Sequence, residues 1–206
     1  MTARIERGNP AGAVIAAALE ASADLVLIGS RGAGRVRGAL MGSVSSQLLS
    51  HAPCSVMVFR DATPTPGLPR AVVVGVDGSP SALHAVAIGQ AIAVAMGARL
   101  VLVHAYDARV AFGSHPLQAM ADLARRHGRE VLSEARGVAH APFDTQLMQG
   151  DANTVLCEVC DKLGPAVLVV GSRGLGGFQE LLVGSTARWL AGSAPCPVVV
   201  ARRGAG

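Results

Sequence analysis

Short apolar runs alternate with helical patterns along the second two thirds of the chain. Residues 71–76 form a continuous apolar run, which is typical of a parallel strand buried on both faces. Ser79 can cap the helix that follows with Pro80 at its first position, and Gly97 can end that helix. The same patterns predict further strands at 99–105, 144–149, 166–170 and 197–201, and further helices at about 116–139, 153–163 and 178–191. Strands and helices that alternate in this way indicate an α/β fold with a doubly wound parallel sheet.

Part of this pattern occurs twice, at a constant offset of 142 residues. The segment from Gly29 to Gly32 matches the segment from Gly171 to Gly174, and Gly42-Ser43 matches Gly184-Ser185. Over residues 29–60, fifteen of 32 positions are identical at this offset without a gap. Internal similarity of this kind indicates a duplicated structural module.

The duplication predicts three parts of unequal length. Residues 1–60 are a partial module that begins at the equivalent of the third strand, with its remaining strands at 24–28 and 55–59 and its helices at 10–21 and 36–50. Residues 61–70 are a proline-rich linker. Residues 71–203 are a complete module.

The partial module lacks the equivalents of the first two strands. Residues 2–6 would correspond to a third strand without a neighbour, so we expect this segment to be displaced, re-paired or poorly ordered. The strands at 24–28 and 55–59 should still pair with each other. Val56 and Val58 could then run antiparallel to Val198 and Val200 and cover the exposed sheet edges, as an intrachain pseudo-dimer. Another interpretation is that Met1 is a misassigned start and that a complete first module precedes it.

Composition and charge exclude several classes of protein. Half of the 206 residues are apolar, which excludes wholesale disorder. No apolar run approaches the length of about 18 residues that a membrane span needs, and no secretory signal is seen at the N-terminus, so we expect a cytoplasmic protein with no membrane partner. The net charge is only +4, with six aromatic residues and no basic run, so we expect no nucleic-acid partner. Cys157 and Cys160 lie in an apolar helical pattern and are interpreted as core residues rather than zinc ligands.

Both copies carry the pattern Gly-x2-Gly-x9-Gly-Ser after a predicted buried strand, namely Gly29, Gly32, Gly42 and Ser43, and Gly171, Gly174, Gly184 and Ser185. Ligands of α/β sheets bind beyond the carboxyl ends of such strands. Glycines let the backbone approach a ligand closely, and backbone N–H groups at the start of the next helix favour phosphate oxygens. The pattern is neither a P-loop nor a dinucleotide-binding fingerprint. The alternative is that these glycines only form tight turns and let the helices pack closely on the sheet.

These features resemble the universal stress protein family in its tandem-domain form. The resemblance rests on the first strand ending in Val76-Asp77-Gly78-Ser79, the second ending in His104-Ala105, and the glycine pattern from Gly171 to Ser185. It implies a five-stranded parallel sheet in the order 3-2-1-4-5, with ATP held between strands one and four in members that bind it. The residues implied for ATP binding in this chain are Asp77, Gly78, Ser79, Ala105, Val170, Gly171, Arg173, Gly174, Gly184, Ser185 and Thr186.

The resemblance also implies roles within this set. Asp77 would contact the ribose, Ala105 and Val170 would line the adenine pocket, and the glycine pattern would hold the phosphates, with which Mg²⁺ could be associated. Asp77 could instead simply cap the turn before the first helix, and the Arg173 side chain could equally face solvent. His104 ends a buried strand and is expected to be packed and hydrogen-bonded. In the partial module, Gly29, Gly32, Gly42 and Ser43 could form a vestigial phosphate site that cannot enclose adenine.

No general base, nucleophile–histidine pair or metal-ligand cluster accompanies the glycine pattern. We therefore predict no catalytic residues and no metal site, and a nucleotide-sensing or regulatory stress-response module that binds ATP without fast turnover. Slow hydrolysis or autophosphorylation stays open. The main alternative is a nucleotide-free association module that dimerises through strand five. An adenylating ligase is disfavoured because the segment 105–150 is too short for a substrate domain.

Overall fold

The computed structural model describes residues 3–30, 41–59, 70–107, 117–164, 166–175 and 183–202. Within these residues the chain forms six helices and seven strands. In chain order they are α1 (Pro10–Glu20), β1 (Leu25–Gly29), α2 (Ser43–His51), β2 (Ser55–Phe59), β3 (Ala71–Gly75), α3 (Pro80–Met96), β4 (Arg99–Tyr106), α4 (Leu117–Arg136), β5 (Phe143–Gln149), α5 (Ala152–Leu163), β6 (Ala166–Gly171), α6 (Ser185–Ser193) and β7 (Val198–Ala201). None of the described helices is both long and apolar enough to cross a membrane.

All seven described strands belong to one mostly parallel sheet, in the order β1-β2-β7-β6-β3-β4-β5. Only β2 and β7 are antiparallel, with Val56 opposite Val200 and Val58 opposite Val198. This is the contact between the two strands that the sequence suggested. We expected a five-stranded parallel sheet for residues 71–203; the strands of this segment belong to a seven-stranded sheet, because β1 and β2 extend it through the antiparallel contact.

Helix α3 shows how local sequence sets the element ends. Ser79 is its N-cap, and the Ser79 hydroxyl accepts a hydrogen bond from the Ala82 backbone N–H at 3.2 Å. Pro80 occupies the first helical position, where a missing N–H costs nothing. Gly97 ends the helix with φ of 61°, a left-handed conformation that glycine adopts without strain. The predicted start and stop of this helix are confirmed.

The N-terminal segment and the two helices after the glycine patterns can be compared with the sequence expectations. Residues 3–7 form neither helix nor strand, in line with the loss of a neighbouring strand. The prediction of unbroken helices over 36–50 and 178–191 is wrong, because Gly42 and Gly184 have extended backbone and the described helices begin after them, at Ser43 and Ser185. Residues 31–40 and 176–182 lie outside the described part of the chain.

The sheet separates two apolar layers. Residues of α1, α2, α5 and α6 pack on one face and residues of α3 and α4 on the other. Along β3, Val73 faces the first layer while Val72 and Val74 face the second, as the alternation of side chains along a strand requires. On the second face, Leu27 at the β1 edge remains 60% exposed.

Arg202, directly after β7, joins the two halves of the chain. Its guanidinium donates hydrogen bonds to the carbonyls of Leu49, Ser50 and Ala52 at the end of α2, at 3.0, 3.1 and 3.2 Å. A cation at this position donates to carbonyls that have no partner within the helix, and it interacts favourably with the negative end of the helix dipole. Burial lowers the pKa of Arg202, and the positive charge of Arg173 lowers it further.

Candidate functional site

A cavity of about 520 Å³ opens at the carboxyl ends of β3 and β6. This is the edge of a parallel sheet at which α/β proteins bind ligands, and the volume lies within the usual range for small-molecule sites. Gly78 and Ser79 are not among the residues that line it. Nine of the eleven predicted site residues do line it, namely Asp77, Ala105, Val170, Gly171, Arg173, Gly174, Gly184, Ser185 and Thr186.

One side of the cavity is apolar. Val103 and Ala105 of β4, Val170 of β6 and Leu156 of α5 line it together. Val103, Leu156 and Val170 are at most 5% exposed, so this wall is supported by the core. An apolar slot of this kind can accommodate a flat ring, because apolar walls pack against the apolar and aromatic surfaces of a ligand.

The opposite side of the cavity is the start of helix α6. Ser185, Thr186 and Ala187 line it, and Gly184, the N-cap, provides no side chain to accept hydrogen bonds from their backbone N–H groups. The first N–H groups of an α-helix have no acceptor within the helix, and the helix dipole adds positive character there. These amides therefore form a donor site suited to an anion.

The glycines of the pattern act differently from what the sequence suggested. We expected the Gly184 amide to be bare, but its N–H donates to the Ser172 carbonyl at 2.8 Å. A Cβ on Gly171 would lie 2.7 Å from the Ser81 carbonyl carbon, and a Cβ on Gly174 would lie 2.6 Å from the Asp77 carboxylate. Gly171 therefore allows close packing against the backbone of α3, in line with the alternative interpretation, whereas a side chain at Gly174 would displace the Asp77 carboxylate. Among the described residues at the start of α6, the amides without an acceptor are those of the residues that follow Gly184.

Asp77 has main-chain partners on both carboxylate oxygens. Its Oδ1 accepts from the Ser79 backbone N–H at 3.0 Å, and its Oδ2 accepts from the Leu175 backbone N–H at 3.3 Å. The first bond closes the turn before α3, and the second attaches the loop after β6 to that turn. Each carboxylate oxygen can accept a further hydrogen bond, so Asp77 can hold this loop and still accept a bond from a hydroxyl in the cavity.

Two serines at the start of α3 attach the same loop. The Ser79 hydroxyl donates to the Arg173 carbonyl at 3.2 Å. The Ser81 hydroxyl also donates to that carbonyl and accepts from the Arg173 backbone N–H at 3.2 Å. Ser79 thus supports the cavity without lining it. Sequence reasoning missed Ser81; its only signal was a second hydroxyl two residues after the helix cap.

His104 lies on the other face of the sheet from Ala105. Its side chain is 7% exposed, and its Nδ1 lies 2.7 Å from the Val76 carbonyl. Because a carbonyl only accepts, Nδ1 carries the proton in this bond. His104 is therefore a packed, hydrogen-bonded residue at the end of β4, as expected.

The first glycine pattern, from Gly29 to Ser43, has some of this geometry. The Gly42 N–H donates to the Ser30 carbonyl at 2.7 Å, and Ser43 begins α2 as Ser185 begins α6. The Ser45 hydroxyl, which aligns with Ala187, donates to the Gly29 carbonyl at 3.0 Å. Strand β1 lies at the sheet edge, so the neighbour that β3 provides for β6 is lacking among the described strands. Gly32 lies outside the described residues, and the vestigial phosphate site stays a prediction.

The cysteines are packed rather than reactive. Cys54, Cys160 and Cys196 are buried free thiols. A hydrogen bond with Cys196, together with burial, raises the pKa of the Cys160 thiol well above its ordinary value, which suppresses the reactive thiolate. Among the described residues, no three His, Cys, Asp or Glu side chains are grouped so that they could hold a metal ion.

Comparison with known proteins gives consistent matches over nearly the whole chain. The model of the Universal stress protein family matches residues 2–60 and 69–202. A universal stress protein of Mycobacterium tuberculosis is 35% identical over 189 residues, which cover 86% of this chain and 58% of that protein. A second one from the same organism is 35% identical over 193 residues, which cover 86% of this chain and 61% of its own length. The chain thus spans about three fifths of the length of these curated relatives.

Solved structures give the same fold. The crystal structure of a universal stress protein from Archaeoglobus fulgidus has a TM-score of 0.68 and 25% identity, and the match covers 96% of this chain and 68% of that one. A putative universal stress protein from Pseudomonas aeruginosa has a TM-score of 0.72 at 19% identity, with coverage of 95% and 69%. The second likeness concerns the fold alone.

Proposed function

Because this chain belongs to the universal stress protein family, we propose that it binds ATP in the cavity at the ends of β3 and β6 and acts as a nucleotide-sensing, regulatory module in a stress response. One observation carries the proposal: a single cavity of about 520 Å³ joins an apolar slot to the uncapped start of a helix. A nucleotide has the matching halves, since its base is flat and its phosphates are anionic.

In this proposal the parts of the cavity have separate roles. The adenine lies against Ala105 and Val170, and the phosphates accept hydrogen bonds from the amides of Ser185 and Thr186. Asp77 accepts from a ribose hydroxyl. Mg²⁺, when present, is held mainly by the phosphate oxygens and water, as is common for this ion.

The proposed protein is a binding module rather than a fast enzyme. The Asp77 carboxylate, the nearest candidate base, already accepts hydrogen bonds from two backbone amides, which favours a positioning role. The buried His104 side chain lies on the face of the sheet opposite to Ala105 and does not line the cavity. We propose that the output is a change in the loop that Asp77 holds, since ligand and loop share that carboxylate. The cytoplasmic location belongs to the same proposal.

We further propose that residues 2–60 are a partial module and that it forms an intrachain pseudo-dimer with residues 69–202. The support is the antiparallel pairing of β2 with β7, together with the two separate family matches. A homodimer through strand five is a weaker alternative. Both β2 and β7 have neighbours on each side within the sheet, so such a dimer would have to break an existing contact.

The test is calorimetric titration with ATP of variants that change one donor. Ser185→Pro removes one backbone N–H, and Pro is well tolerated at the first helical position. Gly184 already has φ of −65° and ψ of 156°, the extended conformation that a residue before Pro requires. Ser185→Ala removes only the hydroxyl. We expect Ser185→Pro to bind ATP about tenfold more weakly than Ser185→Ala, because a hydrogen bond to a charged group is lost.

The partial module provides a matched control. Gly42 has φ of −70° and ψ of 160°, so Ser43→Pro makes the same change at the start of α2. We expect it to leave ATP affinity unchanged. Absence of binding heat with the unaltered chain at a large excess of ATP would remove the proposal and leave the association module. Equal weakening by Ser43→Pro and Ser185→Pro would place the nucleotide elsewhere.

A further inference from the structure

A second open space lies on the opposite face of the sheet. This groove has a volume of about 630 Å³ and runs between α4 and the edge strand β5. It shares no lining residue with the cavity described above. Its floor is formed in part by Leu132 and Leu147, which belong to the apolar layer of α3 and α4.

The polar lining of the groove carries cations and hydroxyls but no carboxylate. Three arginines lie along one stripe of α4, and hydroxyls come from β4, α4 and β5. These polar residues are Arg125, Arg129, Arg136, Tyr106, Ser133 and Thr145. All six are hydrogen-bond donors, so the groove presents donors to whatever occupies it.

The arginines of this stripe have no ion-pair partner within the described part of the chain. Other arginines have carboxylate partners, such as Arg99 with Asp144 at 2.9 Å. Within the described ranges, no Asp or Glu lies within ion-pair distance of Arg125, Arg129 or Arg136. A hydrogen bond with Tyr106 raises the pKa of Arg125, and the nearby Asp122 carboxylate contributes to this rise, but Asp122 forms no ion pair with Arg125 in the described chain. Three cations on one helix face repel each other, and an anion in the groove would relieve that repulsion.

The two outer arginines are oriented by aromatic side chains. Arg125 Nε donates to the Tyr106 hydroxyl at 3.3 Å, which leaves the two terminal nitrogens of that guanidinium for another acceptor. The Arg136 guanidinium carbon lies 5.8 Å from the centre of the Phe143 ring, over its face. Because these guanidinium groups are oriented before a ligand binds, less side-chain conformational entropy is lost on binding.

The spacing of the arginines indicates a ligand with more than one anionic group. At a rise of 1.5 Å per residue, Arg125 and Arg129 are about 6 Å apart along the helix, and Arg129 and Arg136 about 10 Å. A single ion cannot contact all three. The hydroxyls favour phosphoryl groups over carboxylates, because a phosphoryl group has more acceptor oxygens for the donors that surround it.

We propose that the groove between α4 and β5 binds an elongated ligand that carries at least two phosphoryl groups. The ligand is recognised through its phosphates rather than through a base, because Tyr106 is only 8% exposed and Arg136 covers the Phe143 ring. No open aromatic face among the lining residues is therefore available for base stacking. The site does not depend on nucleotide binding in the other cavity.

The experiment is a titration of the full chain with inorganic tripolyphosphate at physiological ionic strength, followed by two-dimensional amide NMR. We expect the amide signals of Ser133, Thr145 and Leu147 to shift with one binding curve. In Arg129→Gln the affinity should fall about tenfold, since a charge-assisted bond is lost. The matched control is Arg126→Gln, because Arg126 lies on the same helix but does not line the groove; it should leave the affinity within about twofold.

Additional titrations distinguish binding in the groove from other causes of the amide shifts. Sulfate should bind at least tenfold more weakly than tripolyphosphate, because it cannot span two arginines. The Ser185→Pro variant should keep the groove shifts, so failure of the nucleotide proposal would not be mistaken for failure of this one. Equal losses in Arg126→Gln and Arg129→Gln, shifts confined to the start of α6, or tighter binding of a hexaglutamate peptide than of tripolyphosphate would each overturn the proposal.

Discussion

Two glycines of one pattern are expected to respond differently to the same substitution. Gly171→Ala and Gly184→Ala each add a single methyl group beside the nucleotide-sized cavity. At Gly171 the added Cβ would lie 2.7 Å from the Ser81 carbonyl carbon and 2.8 Å from the Ala82 backbone nitrogen, besides contacting the Ser81 hydroxyl. At Gly184 the closest atom would be 3.7 Å away, which is ordinary van der Waals contact.

The expected loss of stability follows from which atoms must move. The obstacles at Gly171 are backbone atoms in the first turn of α3, so they cannot rotate away as a side chain can. The end of β6 or the start of α3 must shift by roughly half an ångström, and overpacking of this kind costs about 2 kcal/mol. At Gly184, alanine is a slightly poorer N-cap than glycine but restricts the unfolded chain more, and these effects of about 0.5 kcal/mol each are opposite in sign.

Urea and thermal unfolding followed by circular dichroism measure the difference directly. For a chain of this size, about 2 kcal/mol lowers the midpoint temperature by about 4–8 °C, so Gly171→Ala should melt well below the unaltered protein. Gly184→Ala should melt within about 1 °C of it. An unchanged midpoint for Gly171→Ala, or equal losses in both variants, would refute the view that Gly171 is needed for packing against α3.

Three further predictions concern residues outside the cavity. Val58→Thr, which places a hydroxyl in the fully buried β2–β7 contact, should cost about 1–3 kcal/mol in urea unfolding, whereas Val94→Thr at a 68% exposed position should cost almost nothing. Arg202→Lys should destabilise the chain by about 1–3 kcal/mol, because an ammonium cannot reach the three carbonyls that the guanidinium bonds; a stability equal to that of the unaltered chain would contradict this role. Because the pKa of the Cys160 thiol is raised in the folded state, the unfolded chain releases the thiol proton more readily than the folded chain. The stabilisation from the protonated thiol is therefore complete below pH 9.0, the ordinary thiol value, and the free energy of unfolding falls above that pH by about 1.4 kcal/mol per pH unit. In Cys160→Ser the free energy of unfolding should fall less steeply between pH 9 and pH 10.

Local chemistry explains why much of the strand and helix pattern was predictable. The alternation of short apolar runs with capped helices places β3, α3 and β4 within one or two residues of their observed ends. These ends depend on Ser79, Pro80 and Gly97, whose effects act within one helical turn. The starts of α2 and α6 were misjudged because their glycine caps have no side chain, so the sequence carries no polar N-cap signal there.

The candidate site was predictable in position but not in its bonding. Residues at the ends of predicted strands had to converge, because the carboxyl ends of parallel strands share one edge of a sheet. The sequence could not predict which backbone amides are available to a ligand. The Gly184 N–H, for example, donates to the carbonyl of Ser172, which lies twelve residues earlier in the chain. The role of Ser81, which bonds a loop 92 residues away, was hidden for the same reason.

The sequence alone thus determined the α/β class, the repeat at an offset of 142 residues and the caps of α3, because periodicity and capping act between near neighbours in the chain. Only the tertiary structure decided that β1 and β2 extend the sheet through β7, and that three arginines face one groove beside β5. These outcomes depend on backbone groups and side chains that lie far apart in sequence and meet only when the layers pack. Apolar patterns specify which residues must be buried, but the geometry of packing selects the partners they are buried against.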